Sequence, residues 1–315
     1  MTFRENANIG SGAARRGGGG GGGLAVGGGI GTILLALVVM LFGGDPGAIL
    51  GGGGGQAQSS ADNVELAECQ TGADANEDVD CRMKATMVSL VDYWDQVAPD
   101  AGATEAIIFT GQVNTGCGTA SSQVGPFYCP VDRTIYLDTG FFSQMESQLG
   151  ADGGNFSQMY VLAHEYGHHV QNYTGALRAS QQDQQGPESG AVRVELQADC
   201  FAGAWAGNAT RTRDADGNLL LEPLSREDIE SALSAAAAVG DDSIQERMQG
   251  QVTPHTWTHG SSEQRMGWFM RGYDSGDPNQ CDVLNADSVD DHDAGATGRP
   301  GRATPPGGPV HASTA

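Results

Sequence analysis

The stretch "QMYVLAHEYGHHVQNY", residues 158–173, decides how the chain is read. Val161, Leu162, Ala163, Tyr166 and Val170 surround its polar residues with apolar ones, and Gly175 follows as a stop, so a helix is expected over residues 156–173. On a helix His164 and His168, four apart, are separated by about 40° around the axis and project side by side. Imidazole nitrogens so placed offer zinc two ligands from one rigid element. Glu165 points about 100° away and addresses a water on the metal rather than the metal itself. This is the H-E-x-x-H arrangement, in which the carboxylate is a general base. The bland alternative is a polar patch with a chance spacing. His169 is turned about 100° from His168 and is expected to be polar or capping. Gly167 costs a helix about 1 kcal/mol relative to Ala, which points to close approach of another segment.

A third ligand must come from elsewhere. In "VELQADC", residues 194–200, Glu195 and Asp199 are again four apart, on a helix expected from 188 or 189 to about 207. Alone they would read as a solvated acidic face. Beside H-E-x-x-H, Glu195 is assigned as the third ligand of a His2Glu site with one open position, holding one zinc per chain, and Asp199 as the acceptor for the second N–H of a ligand histidine, His164. Further on, "THGSSEQRMGWFMRGY", residues 258–273, contains an S-x-x-Q helix start and an apolar stripe of Met266, Phe269, Met270 and Tyr273. His259, at the helix entrance, has three readings: a donor to the oxyanion of a tetrahedral intermediate, an occupant of the open metal position in a latent state, or a cap.

The rest of the chain frames this site. Of 49 glycines in 315 residues, 21 fall before residue 56, in runs that behave as linkers. Between them residues 24–42 are uncharged, about 28 Å long as a helix, enough to cross a bilayer once; a cleaved signal peptide is the competing reading, against which stand the length of the run and the lack of an A-x-A-like site after it. Arg4, Arg15 and Arg16 precede the span, and no Lys or Arg follows until Arg82, which places the N-terminus in the cytoplasm and the main domain outside. The expected organisation is a glycine-rich cytoplasmic tail (1–23), a transmembrane helix (24–42), a glycine-rich linker (43–60), a folded domain (61–284) and a disordered tail (285–315). All six cysteines follow the span, and an even number suits an oxidising compartment. The short spacings suggest Cys69 with Cys81 and Cys117 with Cys129, leaving Cys200 for Cys281; free buried thiols are the alternative. A net charge of −23 with only 16 Lys and Arg argues against a nucleic-acid partner.

Within the domain, residues 83–97 have amphipathic helical spacing, 105–110 and 134–138 read as strands, and the second belongs to a hairpin turning through 130–133. Helices are expected again over 141–149 and, from the S-x-x-D pattern of Ser225 and Asp228, up to Gly240. Few strands followed by many helices imply an α+β fold, mostly helical with a small sheet.

The order of apolar span, glycine linker, cysteine-bearing domain, "LAHEYGHHVQ", "ELQADCFAGAW" and "HGSSEQRMGWF" resembles the neutral zinc metallopeptidase family of bacterial membrane-anchored proteins. The resemblance implies a zincin-like fold with His164, His168 and Glu195 as ligands, Glu165 as base and Asp199 as the orienting carboxylate. The expected function is hydrolysis of peptide bonds in extracytoplasmic proteins or peptides, with the bilayer as a second partner through the N-terminal helix. The alternative is a non-catalytic, zinc-stabilised scaffold at the cell envelope, whose open metal position would be permanently filled.

Overall fold

The structure is a computed structural model that describes residues 3–17 and 64–293. Seven short strands are β1 (Ala14–Arg16), β2 (Val64–Glu65), β3 (Glu105–Ile108), β4 (Gln112–Thr115), β5 (Gly118–Ser121), β6 (Phe127–Cys129) and β7 (Thr134–Leu137). The helices are α1 (Gly72–Glu77), α2 (Val79–Val97), α3 (Gly140–Leu149), α4 (Asn155–Thr174), α5 (Arg178–Gln182), α6 (Gly190–Ala206), α7 (Arg226–Ala238), α8 (Asp241–Gln249) and α9 (Ser262–Ser275). The fold is α+β, mostly helical with a small mixed sheet.

Five strands form one sheet in the order β2-β1-β3-β7-β6. β1, β3 and β7 run parallel, whereas the outer strands β2 and β6 pair antiparallel to their neighbours. Side chains alternate between faces, as strand geometry requires. Ala106, Ile108, Tyr128, Ile135 and Leu137 enter the main core, against which α2 and α4 pack, while Ile107, Phe127, Cys129 and Tyr136 form a smaller cluster with Val124 and Ala120. Burial on both faces explains why β3, β6 and β7 are largely apolar.

The domain boundaries differ from those expected. Residues 3–17, assigned to a cytoplasmic tail, are part of the same folded body: Phe3, Ile9 and Ala14 are buried, and β1 lies between β2 and β3. The arm also seats on α1, where Gly72 N donates to Ala7 O and a Cβ on Gly72 would meet Arg4 O at 1.9 Å. At the other end, residues 285–293 pack rather than trail away: Val289 is buried and its carbonyl accepts from Trp268 Nε1. The expected transmembrane segment 24–42, the linker 43–60 and the tail beyond 293 lie outside the described residues. Among the described residues no helix is long and apolar enough to cross a membrane.

The three disulfides are Cys69–Cys81, Cys117–Cys129 and Cys200–Cys281, the pairing read from the spacings. The last ties α6 to the segment following α9.

Candidate active site

α4 and α6 bring the predicted ligands together. Gly167 makes the approach of these helices close: a Cβ there would lie 3.1 Å from Ala198 Cα, a few tenths tighter than ordinary packing. His164, His168 and Glu195 each present one ligand atom, all within 4.8 Å of one another, and all three residues are buried. His164 Nε2 is 3.2 Å from Glu195 Oε2, and His168 Nε2 is 3.5 Å from Oε1. Among the described residues no fourth His, Cys, Asp or Glu joins this group.

The tautomers follow from the partners at Nδ1. His164 Nδ1 donates to Asp199 Oδ1 at 2.8 Å. His168 Nδ1 donates to Gln171 Oε1 at 2.8 Å, and the Gln171 amide is fixed in that orientation because its Nε2 donates to Val194 O and Gln197 Oε1. Gln197 in turn donates to Cys281 O. Both imidazoles therefore direct Nε2 towards Glu195. His168 Nε2 is buried without a hydrogen-bond partner. A buried polar atom left unpaired costs about 1–3 kcal/mol, and a divalent cation among two imidazoles and a carboxylate removes that deficit. The residues fit zinc, which takes N and O donors of this type.

Asp199 holds His164 from within a second network, one that sequence reasoning missed. Arg265, from α9, donates through Nε to Asp199 Oδ2 at 2.8 Å and through Nη2 to Oδ1 at 3.0 Å, and Tyr160 donates its hydroxyl to Oδ1 at 2.5 Å. The signal was present. Arg265 shares the buried face of α9 with Trp268, Phe269 and Gly272, an i, i+3, i+4, i+7 set in which a cation demands a partner. The expected stripe of Met266, Phe269, Met270 and Tyr273 is correspondingly rotated: only Phe269 is fully buried, because the face that meets α6 is the one bearing Arg265 and Gly272.

Charge and burial set the ionisation of the group. Burial disfavours the His164 imidazolium, but Asp199 and then Glu195 outweigh it and raise His164 to about 10. His168 goes the other way: burial dominates and lowers it to about 4. Burial opposes ionisation of Glu195 too, yet the adjacent His168 and His164 hold it well below the usual carboxylate range. Glu165, on the neighbouring wall, is pushed up to about 7 by burial, with the Glu195 charge adding and His164 and the Tyr128 backbone amide opposing.

His259 lies on the wall of the same cleft as Glu165 and Glu195. It is buried, and its Nε2 lacks a partner. Its other face is organised by Asp241, whose Oδ2 accepts from the backbone N–H groups of Thr258, His259 and Gly260 at 2.7, 2.7 and 3.0 Å, while Oδ1 is 3.4 Å from His259 Nδ1. Burial works against the imidazolium, and Asp241 more than compensates, raising His259. Ser261, not His259, caps α9, through a capping box with Gln264. His169 sits on the back of α4, between Tyr128 Oη and Gly102 O, and does not face the cleft.

The chain matches the family described as "Putative neutral zinc metallopeptidase" over residues 2–284. Uncharacterized protein Rv2575 of Mycobacterium tuberculosis is 53% identical over 227 residues, 72% of this chain and 78% of that one. Uncharacterized protein YpfJ of Escherichia coli K12 is 42% identical over 219 residues, 66% of this chain and 73% of that one. No solved structure matches at a significant level. The matched region takes in the arm, the helices bearing His164, His168 and Glu195, and the segment with His259, and the chain belongs to this zinc metallopeptidase family.

Proposed function

We propose that the chain is a zinc metalloendopeptidase with a zincin-like catalytic domain, acting on proteins or peptides outside the cytoplasm. The observation that carries this reading is the convergence of His164, His168 and Glu195 beside a cleft that Glu165 also lines. Zinc held by the two Nε2 atoms and Glu195 would acidify water and polarise the scissile carbonyl. Glu165 takes the proton of the attacking water and passes it to the leaving amide nitrogen. Its carboxyl is buried on the cleft wall beside the ligand cluster, positioned for that exchange. His259 turns Nε2 into the cleft as a donor to the developing oxyanion, and Asp241 holds the ring in place. Asp199, with Arg265 and Tyr160, fixes the orientation of His164. Three disulfides support an oxidising, extracytoplasmic setting.

A scaffold would have no use for a general base on the cleft wall. Glu165→Gln is therefore expected to keep one zinc per chain by metal analysis and to lose at least about 100-fold in cleavage of an unstructured protein such as casein. Undiminished cleavage by the variant would remove Glu165 from the mechanism; a wild type that holds zinc but cleaves nothing would favour the scaffold.

A further inference from the structure

The hydrogen bonds behind His168 lead out of the site and end at a disulfide. His168 Nδ1 donates to Gln171 Oε1 at 2.8 Å, one turn further along α4, and Gln171 Nε2 donates across to Gln197 Oε1 on α6 at 3.1 Å. Gln197 Nε2 donates in turn to Cys281 O at 2.8 Å. Cys281 is bonded to Cys200, three residues after Gln197 and so on the same side of α6. Gln171, Gln197, Cys200 and Cys281 are all buried.

A side-chain amide can be turned end for end, and the chemistry of its partners fixes which way it points. A main-chain carbonyl only accepts. Val194 O and Cys281 O therefore oblige Gln171 and Gln197 to turn their NH2 groups away from the metal site, which leaves Gln171 with an oxygen for His168. That oxygen keeps the imidazole proton on Nδ1 and leaves Nε2 a lone pair on the side of Glu195. Were Cys281 O displaced, Gln197 could reverse and set its NH2 against that of Gln171, and two donors do not satisfy each other. A reversed Gln171 would offer N–H to His168 Nδ1, so that the ring proton sits on Nε2, where zinc needs a lone pair. Val194 O belongs to α6 itself, whereas Cys281 O is brought there from the segment after α9. His164 does not depend on it, because Asp199 is held by Arg265 and Tyr160.

We propose that Gln171, Gln197 and the Cys200–Cys281 disulfide form a positioning relay: the disulfide places Cys281 O, and through it sets the tautomer of His168 and the strength of zinc binding. The inference rests on the zinc-site part of the metallopeptidase reading and not on cleavage. Arg271 donates to Gln280 O, and Arg193 to Val283 O and Ala286 O, so the segment stays docked when the disulfide is absent. The consequence is weaker zinc binding by a folded chain. Partners behind a metal ligand carry about 10- to 100-fold in affinity, and with Val194 O still in place the lower figure is expected.

Zinc dissociation constants of the full chain, measured by competition with a chromophoric chelator, test the relay. Gln197→Met, and Cys200→Ala together with Cys281→Ala, should each weaken binding about tenfold. All three changes combined should be little worse than either alone, since both cut the same relay. Cys69→Ala with Cys81→Ala, which removes the disulfide between the segment after β2 and α2, should lower the urea midpoint of the metal-free protein and leave zinc affinity unchanged. In the proton NMR spectrum of the zinc-loaded chain the His168 Nδ1 proton should give a hydrogen-bonded imidazole resonance that moves in Gln197→Met. Unchanged zinc affinity in Gln197→Met overturns the relay whether or not the Cys200 variant folds. Fully additive losses overturn it too, as does an equal loss of affinity without the Cys69–Cys81 disulfide. A wild type that binds zinc with this dependence but cleaves nothing would keep the relay and discard the peptidase reading, so the two failures are separable.

Discussion

Glu165 occupies a place where its ionisation is unfavourable, and that has a measurable consequence for stability. Its carboxyl rises from 4.5 to about 7 on folding, chiefly by burial. A group raised in this way favours the native state below its unfolded value and loses that advantage as pH climbs through the folded one. Between pH 4.5 and 7 the metal-free protein thus gives up at most roughly 3 kcal/mol on account of Glu165. Glu165→Gln removes the titration. In the presence of a chelator the variant should be more stable than wild type at pH 8 by up to this amount and nearly equal to it at pH 5, read from urea midpoints at the two pH values. A gain of the same size at both would show that another group titrates. The residue scale is also where the sequence was most informative, because His164, Glu165, His168 and Glu195 stand at helical spacings that constrain their directions. Arg265 and Asp241 were hidden: each acts through a partner distant in sequence, and a single charged residue near a helix start resembles a solvated one.

Helices are the level at which these residues acquire their positions. α9 meets α6 at a contact made by glycines: a Cβ on Gly272 would lie 1.9 Å from Cys200 O, and one on Gly203 would lie 2.0 Å from Phe269 O. Those clashes are with backbone, which cannot swing aside. The closeness is what lets Arg265 reach Asp199, one residue from Cys200. Gly272→Ala and Gly203→Ala should each destabilise by about 3 kcal/mol, the upper part of the range for overpacking. Separating the helices relieves both clashes at once, so the double variant should fall short of the sum. Gly167→Ala, whose new contacts with Ala198 begin at 3.1 Å, should cost distinctly less. Urea denaturation of the four variants decides this, and strict additivity would mean that the helices do not part as a unit. The glycine at 167 was legible as a sign of close approach, since a helix interior otherwise disfavours it. The glycines of α6 and α9 were not, because the apolar stripe drew attention to a neighbouring face. Helix limits were otherwise recovered to within a few residues wherever capping residues and periodicity agreed, as at Ser225 and Ser261. The short α1, α5 and α8 lack a sustained apolar period and could not be read.

At the scale of the whole molecule the N-terminal arm is the feature that sequence reasoning placed wrongly, because long glycine runs separate it from the domain and made it look like a tail. Its side chains say otherwise: Phe3 is 1% exposed and Ile9 fully buried. Phe3→Ala should cost about 3–5 kcal/mol, and a chain lacking residues 1–17 would leave β3 with β7 alone as its partner and the core open along α1 and α2. The arm also constrains topology. β1 hydrogen-bonds to both β2 and β3, so the two ends of segment 18–63 meet at one sheet. One crossing of a bilayer by residues 24–42 would put those ends on opposite sides, so the sheet and the single N-in crossing cannot both hold within one chain. Exposed Glu5 and Glu77 report on the two sides of the question. With Glu5→Cys and Glu77→Cys introduced separately, a membrane-impermeant maleimide applied to intact cells should label both or neither. Labelling at 77 with protection at 5 would mean that the arm is parted from its sheet in the cell, and the domain would then have to fold without β1.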